Sequence, residues 1–157
     1  MKKRIFIITF ILFIIDMITK IIVTSNMTVG SSINVISGFF SITYVENTGA
    51  AWGIFSNGTV LLGLLSVVFL IVFTKYILDQ KSISLFNSIN YALIIAGVFG
   101  NMIDRFARGF VVDFLNFQIF SYDFPVFNVA DIFIVIGIML VVIDYLLVGG
   151  KNDSRRG

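Results

Sequence analysis

The chain has 157 residues, of which 58% are hydrophobic and 13% charged, and its formal net charge is +2. Soluble domains contain roughly 45–50% apolar and about 25% charged residues, so this composition is typical of a protein that is solvated by lipid. The sequence has no cysteine and no histidine, which excludes disulfides, thiol nucleophiles, histidine-based triads and imidazole or thiolate metal sites. The small net charge gives no indication of nucleic-acid binding.

Four apolar stretches are long enough to cross a membrane. A transmembrane helix needs about 20 predominantly apolar residues, and we place the four spans at 5–24, 59–78, 85–103 and 128–148. The basic N-terminus resembles a signal peptide, but the apolar run continues beyond Ile15 without a small-residue cleavage site, so it is assigned to the first span. The expected fold is an all-α membrane bundle of four transmembrane helices in one domain, with residues 151–157 as a polar tail.

Basic side chains predict how this bundle is oriented. They precede the first span, flank the turn between the second and third spans, and follow the fourth span. The positive-inside rule then places both termini in the cytoplasm. Arg105 and Arg108 fall on the outer side, and this exception indicates that they have local partners.

The two outer connections, 25–58 and 104–127, carry patterns of their own. In the first, apolar residues alternate with others, which predicts short strands and a small β-sheet cradle over about residues 26–57. These apolar residues are Ile33, Val35, Phe40, Ile42 and Tyr44. In the second, four phenylalanines between residues 110 and 120 recur at near-helical spacing, which predicts a short helix in the membrane interface.

Two aspartates are the main candidates for chemistry. Asp113 follows the third span closely, Asp131 lies in the first turn of the fourth, and the topology puts both at the outer end of the bundle. Two carboxyl groups close together in a partly dry site share a proton, so that one activates water and the other donates to a carbonyl oxygen or leaving amine. The alternative is that Asp131 only caps the fourth span, and the spacing alone does not decide between them.

Other ionisable residues in or near the spans also need an explanation, because burying a charge in lipid is costly. Asp16 and Lys20 are four residues apart and share a helix face, either as a structural ion pair or as a pair that orients polar groups of the site. Asp104 and Arg105 are expected to form an ion pair at the end of the third span. A serine nucleophile activated by Lys20 is conceivable, but no serine stands in a distinctive setting.

Three asparagines and the single tryptophan lie at predicted outer boundaries. Asn47, Asn101 and Asn128 are each candidates for a helix cap, a hydrogen-bonding group of the site, or both. Trp52 is a candidate interfacial anchor.

Several segments of the chain together form a recognisable set. They are Asp16 with Lys20, 47–53 (NTGAAWG), 100–105 (GNMIDR), 109–114 (GFVVDF) and 127–131 (FNVAD). In this order and with four spans, the sequence resembles the lipoprotein signal peptidases, or signal peptidase II. The resemblance implies a bacterial aspartyl peptidase of the cytoplasmic membrane, which removes signal peptides from prolipoproteins just before a cysteine that carries a diacylglyceryl group.

The resemblance also implies roles for individual residues. Asp113 and Asp131 match the catalytic pair at the outer membrane face. The positions that match supporting residues are Asp16, Lys20, Asn47, Asn101, Asp104, Arg105 and Asn128. It further implies a cradle on the membrane surface, a mobile interfacial helix after Asp113, and space for the lipid-tagged substrate at Gly97 and Gly100. Neither a metal nor a cofactor is expected, and cyclic-peptide antibiotics of the globomycin type are expected inhibitors.

Two other classes of function remain as alternatives. A proton-coupled transporter would need acids in a line across the membrane, and Asp16 alone lies near the middle of a span. If the chain were a non-enzymatic scaffold protein, its clustered acids and outer arginines would have no explanation.

Overall fold

The computed structural model describes residues 2–49, 55, 58–120 and 122–153, with side chains up to residue 147. Its helices are α1 (Lys2–Asn26), α2 (Thr59–Asp79), α3 (Leu85–Arg108) and α4 (Val129–Asp153), and its strands are β1 (Ser32–Ile36), β2 (Phe40–Asn47), β3 (Val111–Ile119) and β4 (Tyr122–Asp123). All four helices are long and apolar enough to cross a membrane. The prediction of four membrane-spanning helices is therefore confirmed. A polar tail was expected from residue 151, but α4 continues through Asp153. Residues 154–157 lie outside the described part of the chain.

The third helix is the centre of the bundle. The most apolar stretch of α3 is 61% buried, against 17% or less for the other three helices. Each of the other helices packs on α3, so they expose apolar side chains outward, as lipid-facing helices do. Because α3 is surrounded by protein, it can carry the polar side chains that the other helices could not expose to lipid.

The end of α3 lies further along the chain than its hydropathy predicted. The helix was expected to end at residue 103, where charged residues begin, but it continues to Arg108 and includes Asp104 and Arg105. Gly109 ends it with a left-handed backbone, φ +83°, and donates its N–H to the Arg105 carbonyl. Such a conformation favours glycine. The charges are tolerated inside the helix because they are paired there, as described below.

The outer connections form one antiparallel sheet in the order β1-β2-β3-β4. The predicted strands of the first connection are confirmed, and β2 pairs with β3 so that Val45 lies opposite Asp113 and Asn47 opposite Val111. One face of the sheet packs on the end of α1 through a buried cluster of Val23, Tyr44, Val112 and Phe114. Since side chains alternate along a strand, Asp113 points away from this cluster.

The predicted interfacial helix after Asp113 is wrong for residues 111–119, which form β3. The phenylalanine spacing is helical by coincidence: Phe114 belongs to the buried cluster, whereas Phe117 stacks on Phe40 and Phe127 with ring centroids 4.6 and 5.7 Å apart. Pairing with β3 also satisfies the backbone groups along one side of β2, which would otherwise be an open edge. Tertiary pairing therefore outweighs the local helical pattern.

Small residues allow α3 and α4 to pack closely. A Cβ atom at Gly97 would collide with the Ala130 carbonyl oxygen and lie 2.6 Å from Ile134 Cγ1. A Cβ at Gly100 would collide with Asp16 Oδ2. These two glycines therefore make room for α4 and for the Asp16 side chain, and the expectation that they leave space for a substrate is wrong.

We expect Gly97→Ala to lower the free energy of unfolding by about 1–3 kcal/mol, because the clash is with backbone that cannot move aside. Thermal unfolding in detergent micelles, followed by circular dichroism, measures the change. Gly63→Ala is the matched control, since its Cβ would meet only the ring of Phe106, which is 50% exposed and free to rotate. Equal melting temperatures for the two variants would contradict the packing assignment.

Candidate active site

Asp113 and Asp131 come together in one cavity, although they lie on different elements. The cavity has a volume of about 360 Å³ and lies where β2 and β3 meet α2, α3 and α4. Asp113 is 2% exposed. The cavity is also lined by Asn47, Asn101 and Arg105 and by apolar side chains such as Val98 and Ile134. The two predicted acids therefore share a pocket that is lined by both apolar and polar side chains.

Three asparagines hold the two carboxyl groups. For Asp113, Asn47 Nδ2 donates to Oδ2 at 2.8 Å and Asn128 Nδ2 donates to Oδ1 at 2.7 Å. For Asp131, Asn101 Nδ2 donates to Oδ1 at 2.7 Å and the Asn128 backbone N–H donates to Oδ2 at 3.0 Å. Each of the four carboxyl oxygens thus has a donor, and Asn128 binds both acids.

The orientation of each asparagine amide is fixed from its other side. The Asn47 oxygen accepts the Gly49 N–H at 2.9 Å, and the Asn128 oxygen accepts the Asp131 N–H at 3.0 Å. The Asn101 oxygen accepts from Lys20 at 3.0 Å and from Asn128 Nδ2 at 3.1 Å. Because an amide has its donor and acceptor on opposite sides, these contacts turn the NH₂ groups toward the aspartates.

Asp131 also caps α4, so the two interpretations of this residue are compatible. Asn128 accepts the Asp131 N–H, and Asp131 accepts the Asn128 N–H in return. Reciprocal bonds between the N-cap residue and the third helical residue form a capping box. The cap uses only Oδ2 of Asp131, and it orients the carboxyl group toward the cavity.

A buried charge cluster lies directly beneath the two acids. Lys20, whose side chain is 0% exposed, has its ammonium nitrogen 2.9 Å from Asp16 Oδ2 and 3.0 Å from Asp104 Oδ2. The ammonium group also donates a hydrogen bond to the Asn101 oxygen at 3.0 Å. The ammonium group therefore forms two ion pairs and one hydrogen bond, and the predicted Asp16–Lys20 pair is confirmed.

Both acids of this cluster reach the backbone beside a candidate catalytic aspartate. Asp16 Oδ1 accepts the N–H of Ala130 at 3.1 Å, one residue before Asp131. Asp104 Oδ2 accepts the N–H of Val112 at 3.3 Å, one residue before Asp113. The cluster therefore fixes the positions of both α4 and β3 relative to α1 and α3.

The expected ion pair between Asp104 and Arg105 is wrong. Asp104 pairs with Lys20 and with Arg108, whose Nε lies 3.1 Å from Asp104 Oδ1. Adjacent residues on a helix point in different directions, whereas residues four apart lie on the same face. In the sequence, Arg108 stands out only as an exception to the charge rule, although its i, i+4 spacing from Asp104 is the signal that could have identified its partner.

Arg105 instead joins the helix to the segment that follows β2. Its two terminal nitrogens donate to the carbonyl oxygens of Asn101 and Gly49, both at 3.3 Å. Its Nε has no hydrogen-bond partner among the described residues. The local partners predicted for both outer arginines are therefore present, and Arg105 lines the same cavity as the two aspartates. Trp52, the predicted anchor, lies outside the described residues.

The environment of Asp113 favours its protonated form. The pKa of Asp113 is raised from 3.8 to about 7, mainly by burial and also by the nearby Asp131, while the bonds from Asn47 and Asn128 and the charge of Lys20 lower it. Desolvation and a neighbouring carboxylate both disfavour the charged form. Close to neutral pH, Asp113 therefore exchanges a proton readily.

Comparison with known proteins gives the family. The sequence model of the family described as signal peptidase (SPase) II matches residues 8–147. A lipoprotein signal peptidase from Staphylococcus haemolyticus is 40% identical over 151 residues, covering 93% of this chain and 96% of that protein. One from Staphylococcus aureus strain Newman is 40% identical over 161 residues, covering 99% and 96%. The chain belongs to the signal peptidase II family.

Solved structures agree with this membership. One structure of a bacterial membrane enzyme superposes with a TM-score of 0.85 at 37% identity, covering 98% of this chain and 91% of that one. A second gives a TM-score of 0.81 at 38% identity, covering 90% and 92%. As a signal peptidase II, the chain is a bacterial membrane peptidase with several membrane-crossing helices, and the predicted combination of helices and sheet is confirmed.

In this signal peptidase II, we expect Lys20→Met to lower the free energy of unfolding by about 3–5 kcal/mol, because Asp16 and Asp104 would lose their buried partner. Unfolding by denaturant in micelles measures the loss. Arg108→Gln is the control: its side chain is 31% exposed and Asp104 keeps Lys20, so about 1 kcal/mol or less is expected. A Lys20→Met variant as stable as the wild type would show that the cluster does not support the bundle.

Proposed function

We propose that this chain is an intramembrane aspartyl endopeptidase. Its substrates are diacylglyceryl-modified bacterial prolipoproteins, and it cuts just before the lipidated cysteine. The single observation that carries the proposal is the pair of aspartates in one cavity. Each of their four carboxyl oxygens accepts a hydrogen bond from Asn47, Asn101 or Asn128. The name of its staphylococcal relatives, lipoprotein signal peptidase, supports this class of substrate.

The chemistry follows from one proton shared between two carboxyl groups. The ionised carboxylate takes a proton from water as the water oxygen attacks the scissile carbonyl carbon, while the protonated carboxyl donates to the carbonyl oxygen. When the C–N bond of the tetrahedral intermediate breaks, the carboxyl group that took the water proton gives it to the leaving amine, and the other carboxylate takes back the proton of the former carbonyl oxygen as the C=O bond re-forms. The roles of Asp113 and Asp131 exchange during the cycle, and the pair again holds one proton at the end.

The surrounding residues suit this reaction. Asn47, Asn101 and Asn128 keep the carboxyl groups aligned, and Asp16, Lys20 and Asp104 act as positioning residues beneath them. Arg105 is a cation that lines the cavity, where its positive charge would stabilise the negative charge that develops on the carbonyl oxygen during attack.

The position of the cavity also suits a substrate that is itself embedded in lipid. Its walls include Ser66 of α2, Val98 of α3 and Val135 of α4, so a substrate helix would approach sideways along α3. We propose that both termini are cytoplasmic and that the cavity opens toward the outer face. In this arrangement, the scissile bond lies at the bilayer surface, where water is available. Cyclic-peptide antibiotics of the globomycin type would compete for the same cavity.

The transporter alternative has less support. Among the described residues, Asp16, Asp104, Asp113 and Asp131 gather around Lys20 and the cavity, and they do not form a line across the bilayer. Asp16 is fully buried against Lys20 and the Ala130 N–H, which suits a structural group better than a proton carrier.

We expect Asp113→Asn and Asp131→Asn each to reduce cleavage at least about 100-fold, because either change removes one half of the proton-sharing pair. Cleavage of a purified diacylglyceryl-prolipoprotein in micelles measures the effect, and the melting temperature checks that each variant folds.

Asp123→Asn is the matched control for these two variants. Asp123 is an exposed acid of β4 that accepts from Gln118 at 2.8 Å, so its loss should leave cleavage unchanged. Wild-type rates from either site variant, or an equal loss from Asp123→Asn, would overturn the proposed pair.

The raised pKa of Asp113 predicts a pH dependence. An acid with a pKa of about 7 is protonated below that pH, so kcat/KM should fall as the pH rises from about 6 to about 9. The folded state also binds this proton more tightly than the unfolded chain, whose pKa is near 3.8. The wild type should therefore lose stability relative to Asp113→Asn as the pH rises from 3.8 to about 7. If kcat/KM and the stability difference between the wild type and Asp113→Asn were both independent of pH, the raised pKa of Asp113 would be contradicted.

A further inference from the structure

A second cavity lies at the opposite end of the bundle from the aspartates. α1 and α2 both pack on α3, and between them is a groove of about 280 Å³. Its walls are formed by Ile5 and Phe6 of α1 and by Ile77 and Leu78 of α2, and Ile95 of α3 also lines it. The groove begins at the N-terminus of α1 and extends into the apolar part of the bundle, so its lining suits a hydrocarbon chain.

The mouth of this groove is cationic. The Lys2 ammonium group donates to the Leu78 carbonyl oxygen at 2.6 Å, which holds it at the end of α2 and leaves two of its three protons available. Arg4, at the same end of α1, donates to the Ile83 carbonyl oxygen at 3.3 Å. Residues 2–4 and 75–84 contain five basic side chains and a single acid, Asp79. This charge is complementary to an anion.

Two hydroxyl groups line the groove further from its mouth than the apolar residues Ile5 and Ile77. Thr74 precedes Leu78 by one helical turn, about 6 Å along α2. Thr9 faces it from α1, and the Thr9 hydroxyl oxygen is buried with no hydrogen-bond partner among the described residues. A buried hydroxyl without a partner costs stability, so an occupant with a hydrogen-bonding group at this level is favoured.

We propose that this groove binds one anionic phospholipid from the leaflet at the N-terminal end of the bundle. The phosphate contacts the Lys2 ammonium group, the glycerol ester lies at the level of Thr9 and Thr74, and one acyl chain follows the groove toward Ile95. The groove combines a cationic mouth, two hydroxyl groups and apolar walls, which are complementary to the phosphate, ester and hydrocarbon of the lipid. Basic pockets between helices recognise acidic lipid headgroups in this way. This site is separate from the aspartate pair and does not depend on its function.

The test is native mass spectrometry of the full chain, titrated in micelles with phosphatidylglycerol or phosphatidylcholine. We expect one phosphatidylglycerol to remain bound to each protein, with phosphatidylcholine binding more weakly. Lys2→Gln should weaken phosphatidylglycerol binding roughly five-fold, the effect of one lysine near an anionic headgroup. Thr74→Phe, which fills the groove and keeps every charge, should also weaken it.

Lys81→Gln is the matched control, because it removes the same charge from the same end of the bundle at a residue outside the groove. It should leave binding within about two-fold of the wild type. Equal weakening by Lys81→Gln and Lys2→Gln would assign binding to general surface charge and overturn the proposal. Equal retention of the two lipids, or normal binding by a folded Thr74→Phe variant, would overturn it as well.

Discussion

The arrangement of this membrane protein depends on one buried ammonium group. Lys20 lies inside the bundle, where an unpaired charge would be prohibitively costly, and its ammonium group pairs with Asp16 and Asp104 and donates a hydrogen bond to Asn101. These partners belong to α1 and α3. Through the Ala130 N–H, Asp16 adds α4 to the same network. The need to neutralise a single charge in a dry interior therefore fixes the relative positions of three helices.

The same network connects stability to the proposed chemistry. Asp16 and Asp104 hold the backbone immediately before Asp131 and Asp113, respectively. Asn101, which Lys20 orients, holds the carboxyl group of Asp131. The two acids are thus placed by groups that do not react, and Asn128 links them directly. A proposed active site that is assembled from a strand and a helix needs such support, because small displacements of the reacting groups lower the rate.

Sequence patterns predicted the parts of this structure that depend on local chemistry. The spans followed from hydropathy, β1 and β2 from alternation, and the Asp16–Lys20 pair from i, i+4 spacing. The interfacial helix was wrong because pairing of β3 with a distant strand decided its conformation. The partner of Asp104 was missed because Lys20 lies 84 positions away in sequence. The groove between α1 and α2 gave no sequence signal, since it is the space left where both pack on α3.

The central claim is that Asp113 and Asp131 hold one proton between them close to neutral pH. It is tested most directly by ¹³C NMR of aspartate side-chain carboxyl groups in the reconstituted protein at about pH 6, with the resonances assigned by the Asp113→Asn and Asp131→Asn variants. The account predicts that one of the pair has the chemical shift of a protonated carboxyl and the other that of a carboxylate. Two carboxylate shifts at this pH would contradict it.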